Sequence, residues 1–343
     1  MSTPSEGHGT DRWSSAAWRR LAITWLDERL AAAGSRRTGD VEQPHLRPWA
    51  TVLKVPTTGG TVWFKACGPA TAFEVSLYGL IGRVDPEHAL SPIATDVARA
   101  WVLLPDGGPS LGDRLAGAEL ADAMETALAA YGHLQRALAP HLTDLLDLGI
   151  TDMRPAIMPR RFEEALQAVG ARLDDSGDAD ERATYRRVLA LRGTVADWCG
   201  ELAAASDQLS LDHNDLHPWN VLADGTDGTR SVRFYDWGDS VVAHPFASML
   251  VPLGYMREHL GVGLDHPRVL RLRDAYLGAF SDLGPPPELA GVLRLACRVG
   301  KIARALTWDR ALAAQGYDQA GEFADAPLRC LASLLDDSYV GGA

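Results

Sequence analysis

The stretch from Leu211 to Asp239 leaves this chain the least freedom: it reads LDHNDLHPWNVL, then a turn-rich link, then RFYDWGD. Asp215 stands two residues after His213 and five before Asn220, and Asp236 ends the apolar run Val232–Tyr235, which only Arg233 interrupts. Val221 and Leu222 read as a strand and Val232–Tyr235 as its hairpin partner, with Asp224-Gly225 and Asp227-Gly228 as turn residues. Such a hairpin returns Asp236 to the mouth that holds Asn220, and a turn through His217-Pro218 brings Asp215 there too. Two carboxylates and an amide so grouped suit phosphoryl transfer. That chemistry needs a carboxylate beside the acceptor hydroxyl and oxygen ligands for the Mg²⁺ ions at the nucleotide phosphates. Asp215 is expected in the first role, and Asn220 and Asp236 in the second. The blander alternative is an acidic hairpin that holds water or a structural cation.

Charge narrows the partners. The 343 residues carry 33 Lys and Arg against 45 Asp and Glu, a net charge of −12, which argues against nucleic-acid or anionic-membrane surfaces. The balance suits a cationic substrate, although excess acid commonly just solvates a surface. Cys67, Cys199, Cys297 and Cys330 are widely spaced without a C-x-x-C pair, as expected of reduced, buried thiols. The N-terminal MSTPSEGHGTDR has no apolar signal core, and the most apolar long stretch, Val241–Met256, is interrupted by His244, Pro245 and Pro252. A cytoplasmic protein without a membrane span is expected.

In chain order, residues 1–10 are expected to be disordered. A helix from Asp11 follows, with Trp18, Leu21, Trp25, Leu26 and Leu30 on one face and Gly34 as its stop. Thr51–Val55 and Thr61–Ala66 read as strands around a turn at Pro56–Gly60, followed by a helix over Ala72–Leu80. Arg99–Leu104 reads as a central strand that runs into the break Pro105-Asp106-Gly107-Gly108. Beyond it, Leu120, Met124, Leu128, Tyr131, Leu134 and Leu138 form one helical stripe, and Tyr185, Val188, Leu189, Val195, Trp198 and Leu202 another. Leu148–Pro159 reads as irregular and Asp174–Asp180 as a polar link. Leu295, Val299, Ile302 and Leu306 mark a further helix.

His-x-Asp-x-x-x-x-Asn followed by Asp-Trp-Gly, where eukaryotic protein kinases carry Asp-Phe-Gly, resembles the aminoglycoside phosphotransferase family of kinase-like small-molecule phosphotransferases. The family form is close to HGDLHPxN followed by IDW; this chain has HNDLHPWN, then YDW. Asn214 replaces the common glycine beside Asp215. His217-Pro218 stands where protein kinases usually have Lys-Pro, which favours a small-molecule acceptor.

The resemblance implies an α+β, protein-kinase-like bilobal fold with a small β-rich N-lobe and a larger, mainly helical C-lobe. Residues 1–35 would be a tail and helix, 36–105 the N-lobe and 106–343 the C-lobe. It implies Lys65 on the third strand at the α- and β-phosphates, Glu74 on the next helix holding it, and hinge backbone at Leu103 and Leu104 bonding the base. His45–Ala50 occupies the place of the phosphate-covering loop, without its glycines. His213 would brace the catalytic loop, His217 would brace it or act as a base, and Asp239 would brace it, with direct metal ligation as the lesser alternative. The donor would be ATP or GTP with Mg²⁺, and the acceptor a hydroxyl of a small molecule, foremost an antibiotic. Glu258, Asp274 and Asp309 are candidates to pair with acceptor amines, and Trp308 to line a pocket for a flatter antibiotic or simply to pack in the core. Two alternatives stay open: a metabolic kinase for an amino alcohol, amino acid or sugar, and a non-catalytic nucleotide-binding protein. The second is disfavoured because Lys65, Asp215, Asn220 and Asp236 are all present.

Overall fold

The structure, a computed structural model, describes residues 9–176, 178–224, 231–317 and 321–336. Five antiparallel strands build its first sheet: β1 (Glu42–Arg47), β2 (Ala50–Thr57), β3 (Gly60–Cys67), β4 (Ala94–Asp96) and β5 (Trp101–Pro105), in the order β1-β2-β3-β5-β4. β-Branched and aromatic residues alternate along β2 and β3, so Leu53 and Val55 face the same core as Val62, Phe64 and Ala66. The helix Ala16–Ala32 covers that face with Trp18, Trp25, Leu26 and Leu30. Trp25 meets Phe64 and Trp101 edge-on, each at 5.7 Å between ring centroids, the arrangement aromatic quadrupoles favour.

The N-terminal helix differs from expectation in three respects. Most of the segment expected to be disordered lies outside the described residues, and a short helix already begins at Gly9. The chain breaks at Ser15, whose hydroxyl accepts the Trp18 N–H and caps a second helix, so one continuous helix from Asp11 does not form. Leu21, assigned to the apolar face, is 63% exposed. Gly34, at φ 71°, ends the helix as expected.

The β2–β3 hairpin is tighter than its sequence suggested: Thr57 pairs with Gly60, leaving Thr58-Gly59 as the turn. His45–Ala50 forms the end of the β1–β2 hairpin, where Arg47 pairs with Ala50 around a tight Pro48-Trp49 turn.

Two compact units emerge. The first runs through Gly107 and takes in the segment beginning at Arg310; the second comprises Gly108–Asp309 and the chain from Glu322. In the second unit the helix Gly117–Leu138 buries the whole predicted stripe from Leu120 to Leu138. The second stripe is split between the helices Ala179–Leu189 and Arg192–Ala205, which bury Val188, Val195, Cys199 and Leu202 while Tyr185, Leu189 and Trp198 remain half-buried. The expected irregular segment contains a short strand, β6 (Thr151–Asp152), and the helix Met158–Ser176 runs into the predicted polar link. β7 (Ser210–Asp212) leads into the loop that carries Asp215, β8 (Val221–Asp224) and β9 (Ser231–Phe234) form the hairpin, and β10 (Val241–Ala243) lies between β6 and β7. The expected turn residues Gly225, Asp227 and Gly228 lie outside the described residues.

Along the helix Pro286–Gln315, Val299 and Ile302 are buried, but Leu295 and Leu306 are only half-buried. Lys301, Arg304 and Thr307, three residues apart on that helix, are buried polar groups. No disulfide joins the four buried cysteines. Among the described residues no helix is long and apolar enough to cross a membrane.

Candidate active site

In the first unit, β3 carries Lys65 and the first turn of the helix Phe73–Val84 carries Glu74. The ammonium lies 2.8 Å from Glu74 Oε1 and 2.7 Å from Oε2, and Glu74 is fully buried. A carboxylate so placed is tolerable only with a partner. The Cys67 thiol donates to the same carboxylate at 3.5 Å. Leu103 and Leu104 are buried in β5, where they pair with Phe64 and Trp63. The Leu103 carbonyl also accepts the Ile93 N–H at 2.7 Å.

In the second unit the loop after β7 is held residue by residue. Asp212 Oδ1 accepts the Asn214 N–H and the Ser248 hydroxyl, each at 2.7 Å. Burial raises the Asp212 carboxyl to about 6, against those two hydrogen bonds and Arg304, which lower it. Asn214 itself sits at φ 59°. This left-handed conformation explains why the related motif favours glycine here, and asparagine is among the few other residues that tolerate it.

His213 is buried; its N–H donates to the Tyr131 hydroxyl at 2.9 Å, and its Nε2 lies 3.0 Å from the Tyr235 carbonyl. Burial holds the imidazole below the ordinary histidine range, against the favourable Tyr235 contact. The ring thereby bridges the loop to the end of β9. Its tilted stack on Trp237, 4.7 Å between centroids, adds to that.

Asp215 projects from this loop with its side chain 27% exposed. Arg304 Nη1 lies 3.1 Å from Oδ1, and His217 Nε2 lies 3.5 Å from Oδ2. Burial would raise this carboxyl, but Arg304 and then His217 outweigh it and hold Asp215 well below the usual carboxylate range. Asn220, at the end of the single turn Pro218–Asn220, donates its Nδ2 to the Asp215 carbonyl at 2.9 Å. That bond leaves the amide oxygen as the group able to ligate.

Val221 pairs with Phe234, and the Tyr235 N–H reaches the Asn220 carbonyl at 3.3 Å. Asp236 therefore begins at the same end of the hairpin as Asn220. It adopts φ 63°, ψ 58°, and is exposed. Asp239 Oδ2 lies 3.8 Å from Arg304, and the Asp239 carbonyl accepts Asn214 Nδ2 at 3.2 Å. These contacts join Asp239 to Arg304 and to the loop residue Asn214.

Arg304 and Thr307 were absent from the sequence reading. Only the recurrence of polar residues every third position within an otherwise buried helix face hinted at them. Asp212 was also missed, as was the buried network in which Gln135 donates to Ser248 and the Leu211 carbonyl and accepts from Tyr276.

The expected acceptor acids come from three helices. Glu258, Asp274 and Asp309 lie on three separate helices, Leu250–Leu260, Pro267–Gly278 and Pro286–Gln315. Glu258 pairs with Arg257 at 3.1 Å and Asp274 with Arg273 at 2.7 Å, so each faces an arginine from its own helix. Trp308 is half-buried and stacks on Phe323, 5.5 Å between centroids at an interplanar angle of 12°. A second aromatic group extends from His217 itself: its ring lies 6.1 Å from Trp219 and 6.4 Å from Tyr255, which are 5.4 Å apart. Trp219 is 38% exposed. Its indole rests on Gly112, where an added Cβ would come within 2.5 Å of the ring, so only glycine leaves room for it.

Residues 88–247 match the model of the phosphotransferase enzyme family. Among curated proteins no sequence matches the chain significantly. Solved structures are similar along nearly the whole length. The Plasmodium vivax ethanolamine kinase aligns with TM-score 0.63 at 10% identity, covering 97% of this chain and 95% of that one. Macrolide 2'-phosphotransferase type I aligns with TM-score 0.57 at 16% identity, covering 92% and 97%. An amicoumacin kinase in complex with AMP-PNP and Ca²⁺ gives 0.57 at 10% identity, covering 96% of each. At these identities the likeness shows the fold, and the α+β protein-kinase-like class expected from the sequence is borne out. So is the resemblance carried by HNDLHPWN and YDW.

Proposed function

We propose that this chain, kinase-like in fold and matching the phosphotransferase enzyme family over residues 88–247, transfers the γ-phosphoryl group of ATP or GTP to a hydroxyl of a small molecule. The observation that carries this is the catalytic loop. Asp215 is a carboxylate held ionised beside His217, while Asn220 is tied to the same loop by its amide nitrogen. An ionised, part-exposed carboxylate can orient an acceptor hydroxyl and take its proton as the new P–O bond forms.

Lys65, held by Glu74, would steady the α- and β-phosphates. The Asn220 amide oxygen and the exposed Asp236 carboxylate fit a hard cation, which prefers oxygen and commonly takes one or two protein ligands besides phosphate. Bound there, Mg²⁺ would neutralise phosphate charge. His213 and Asp239 keep the loop in register and His217 flanks the Asp215 carboxylate. A non-catalytic nucleotide-binding role fits this set poorly, because a chain that only binds nucleotide does not need Asp215.

For the acceptor we infer a hydroxyl-bearing antibiotic, with inactivation as the outcome. Glu258 and Asp274 pair with arginines, and Arg304 stands beside both Asp215 and Asp239, so little unpaired acid marks this site for a polyamine. Exposed Trp219, with Tyr255 beside His217, favours an acceptor with a ring or apolar face and few charges.

The test is nucleoside diphosphate release with Mg²⁺ and either ATP or GTP, across antibiotics, amino alcohols, amino acids and sugars. Turnover of a weakly charged antibiotic, with KM flat as ionic strength rises, is the expected result. Efficient turnover of an amino alcohol, amino acid or sugar alone would replace this reading with a metabolic kinase. Release that no panel compound accelerates would remove the phosphotransferase reading.

A further inference from the structure

We propose that Arg304, with Thr307 on the next turn of its helix, positions the Asp215 carboxylate for the acceptor hydroxyl; the proposal rests on the phosphotransferase function above. Asp215 follows a left-handed residue on a loop outside any strand ladder. The terminal torsion of an aspartate is broad, so its own rotamer does not decide which oxygen meets a substrate.

The surrounding contacts decide it. Arg304 Nη1 stands 3.1 Å from Asp215 Oδ1 while His217 Nε2 stands 3.5 Å from Oδ2, which fixes the plane of the carboxylate from both sides. The same Nη1 donates to the Asn214 carbonyl at 2.6 Å, so one guanidinium holds the peptide and the side chain together. Three residues along the helix, the Thr307 hydroxyl accepts Asn214 Nδ2 at 2.8 Å. Asn214 is thus gripped at its carbonyl and at its amide by one helix. Glycine at position 214, the common residue in the related motif, has no side chain to reach Thr307.

Arg304 is only 7% exposed and is rooted in the long helix Pro286–Gln315. A group fixed on a helix sets geometry more tightly than one on a loop. Because Asp239 Oδ2 lies 3.8 Å from the same Nη1, the cation also ties the catalytic loop to the turn after Asp236.

The test compares Arg304→Met, Arg304→Lys, Thr307→Val and Asn214→Gly with the wild type, using the panel compound that the wild type phosphorylates fastest. It reads kcat per folded molecule, with folding checked by circular dichroism, and nucleotide affinity measured by calorimetry with Mg²⁺ and AMP-PNP. A misplacement of about 1 Å costs on the order of 100-fold in rate, and Arg304→Met is expected to lose that much in kcat. Nucleotide affinity should stay within about twofold and Arg304→Lys should recover roughly tenfold of the loss, because a cation without the fork restores only part of the geometry. Thr307→Val and Asn214→Gly break the same bond, so their double variant should lose no more than either single one.

Folded Arg304→Met within about threefold of wild-type kcat, far from the loss misplacement implies, would overturn the proposal. So would Arg304→Lys no better than Arg304→Met. If Arg304→Met does not fold, Arg304→Lys and the Asn214–Thr307 cycle decide. Turnover by the wild type with these variants unchanged sinks only the positioning role, whereas no turnover of any panel compound sinks the phosphotransferase function itself.

Discussion

The Asn214 side chain lies 2.8 Å from the Thr307 hydroxyl, 93 positions further along the chain. That one hydrogen bond joins the residue before Asp215 to a helix that carries no recognisable catalytic motif. The consequence is that local sequence supplies the reactive groups, whereas a distant helix supplies their geometry.

Replacing Asp215 with alanine is expected to lower kcat by about 10²- to 10⁴-fold, the usual contribution of a positioned base. Nucleotide affinity should hardly change, since the proposed role of this carboxylate is toward the acceptor. Single-turnover kinetics with calorimetric nucleotide titration check both halves; a kcat above a tenth of wild type, well short of that range, would exclude the role.

Asp236→Asn should weaken Mg²⁺-dependent nucleotide binding and activity together, because it removes charge from a site suited to a hard cation. Nucleotide titrations at several Mg²⁺ concentrations read the effect. Superimposable curves for the two proteins would show that Asp236 does not ligate the ion.

Lys65→Met leaves the fully buried Glu74 carboxylate without its ammonium, a change expected to destabilise the fold by about 3–5 kcal/mol. Adding Glu74→Gln should recover much of that, because the stranded charge is then gone. Chemical denaturation of the single and double variants measures it, and an equal or greater loss in the double variant would contradict the pairing.

The pH dependence of stability should carry a signature of Asp212. Its pKa rises from 3.8 to about 6 in the fold, so the folded state holds this proton more tightly than the unfolded chain. The stabilisation is complete below the unfolded value and is lost as pH rises through about 4 to 6, up to about 3 kcal/mol for a shift of this size. The unfolding free energy of the wild type minus that of Asp212→Asn should therefore fall across that interval. A difference independent of pH would mean that folding does not raise the Asp212 pKa.

Much of the fold and the reactive groups was legible in the sequence, because each rests on a local pattern. Apolar residues at helical spacing fixed the helix Gly117–Leu138, and β-branched alternation fixed β2 and β3. Asp215, Asn220 and Asp236 lie on one hairpin and its approach, so short-range chain geometry gathers them. Lys65 and Glu74 are similarly close, a strand and the following helix apart. Tertiary structure alone decided the rest. The break at Ser15 and the exposure of Leu21 depend on which side of a helix meets the sheet. Glu258 and Asp274 pair with the arginines next to them in the chain, a contact that charge along a sequence does not specify. Arg304, Thr307 and Asp212 left no motif at all. A buried polar group is tolerated only where partners meet it, and those partners come from remote segments brought together by packing.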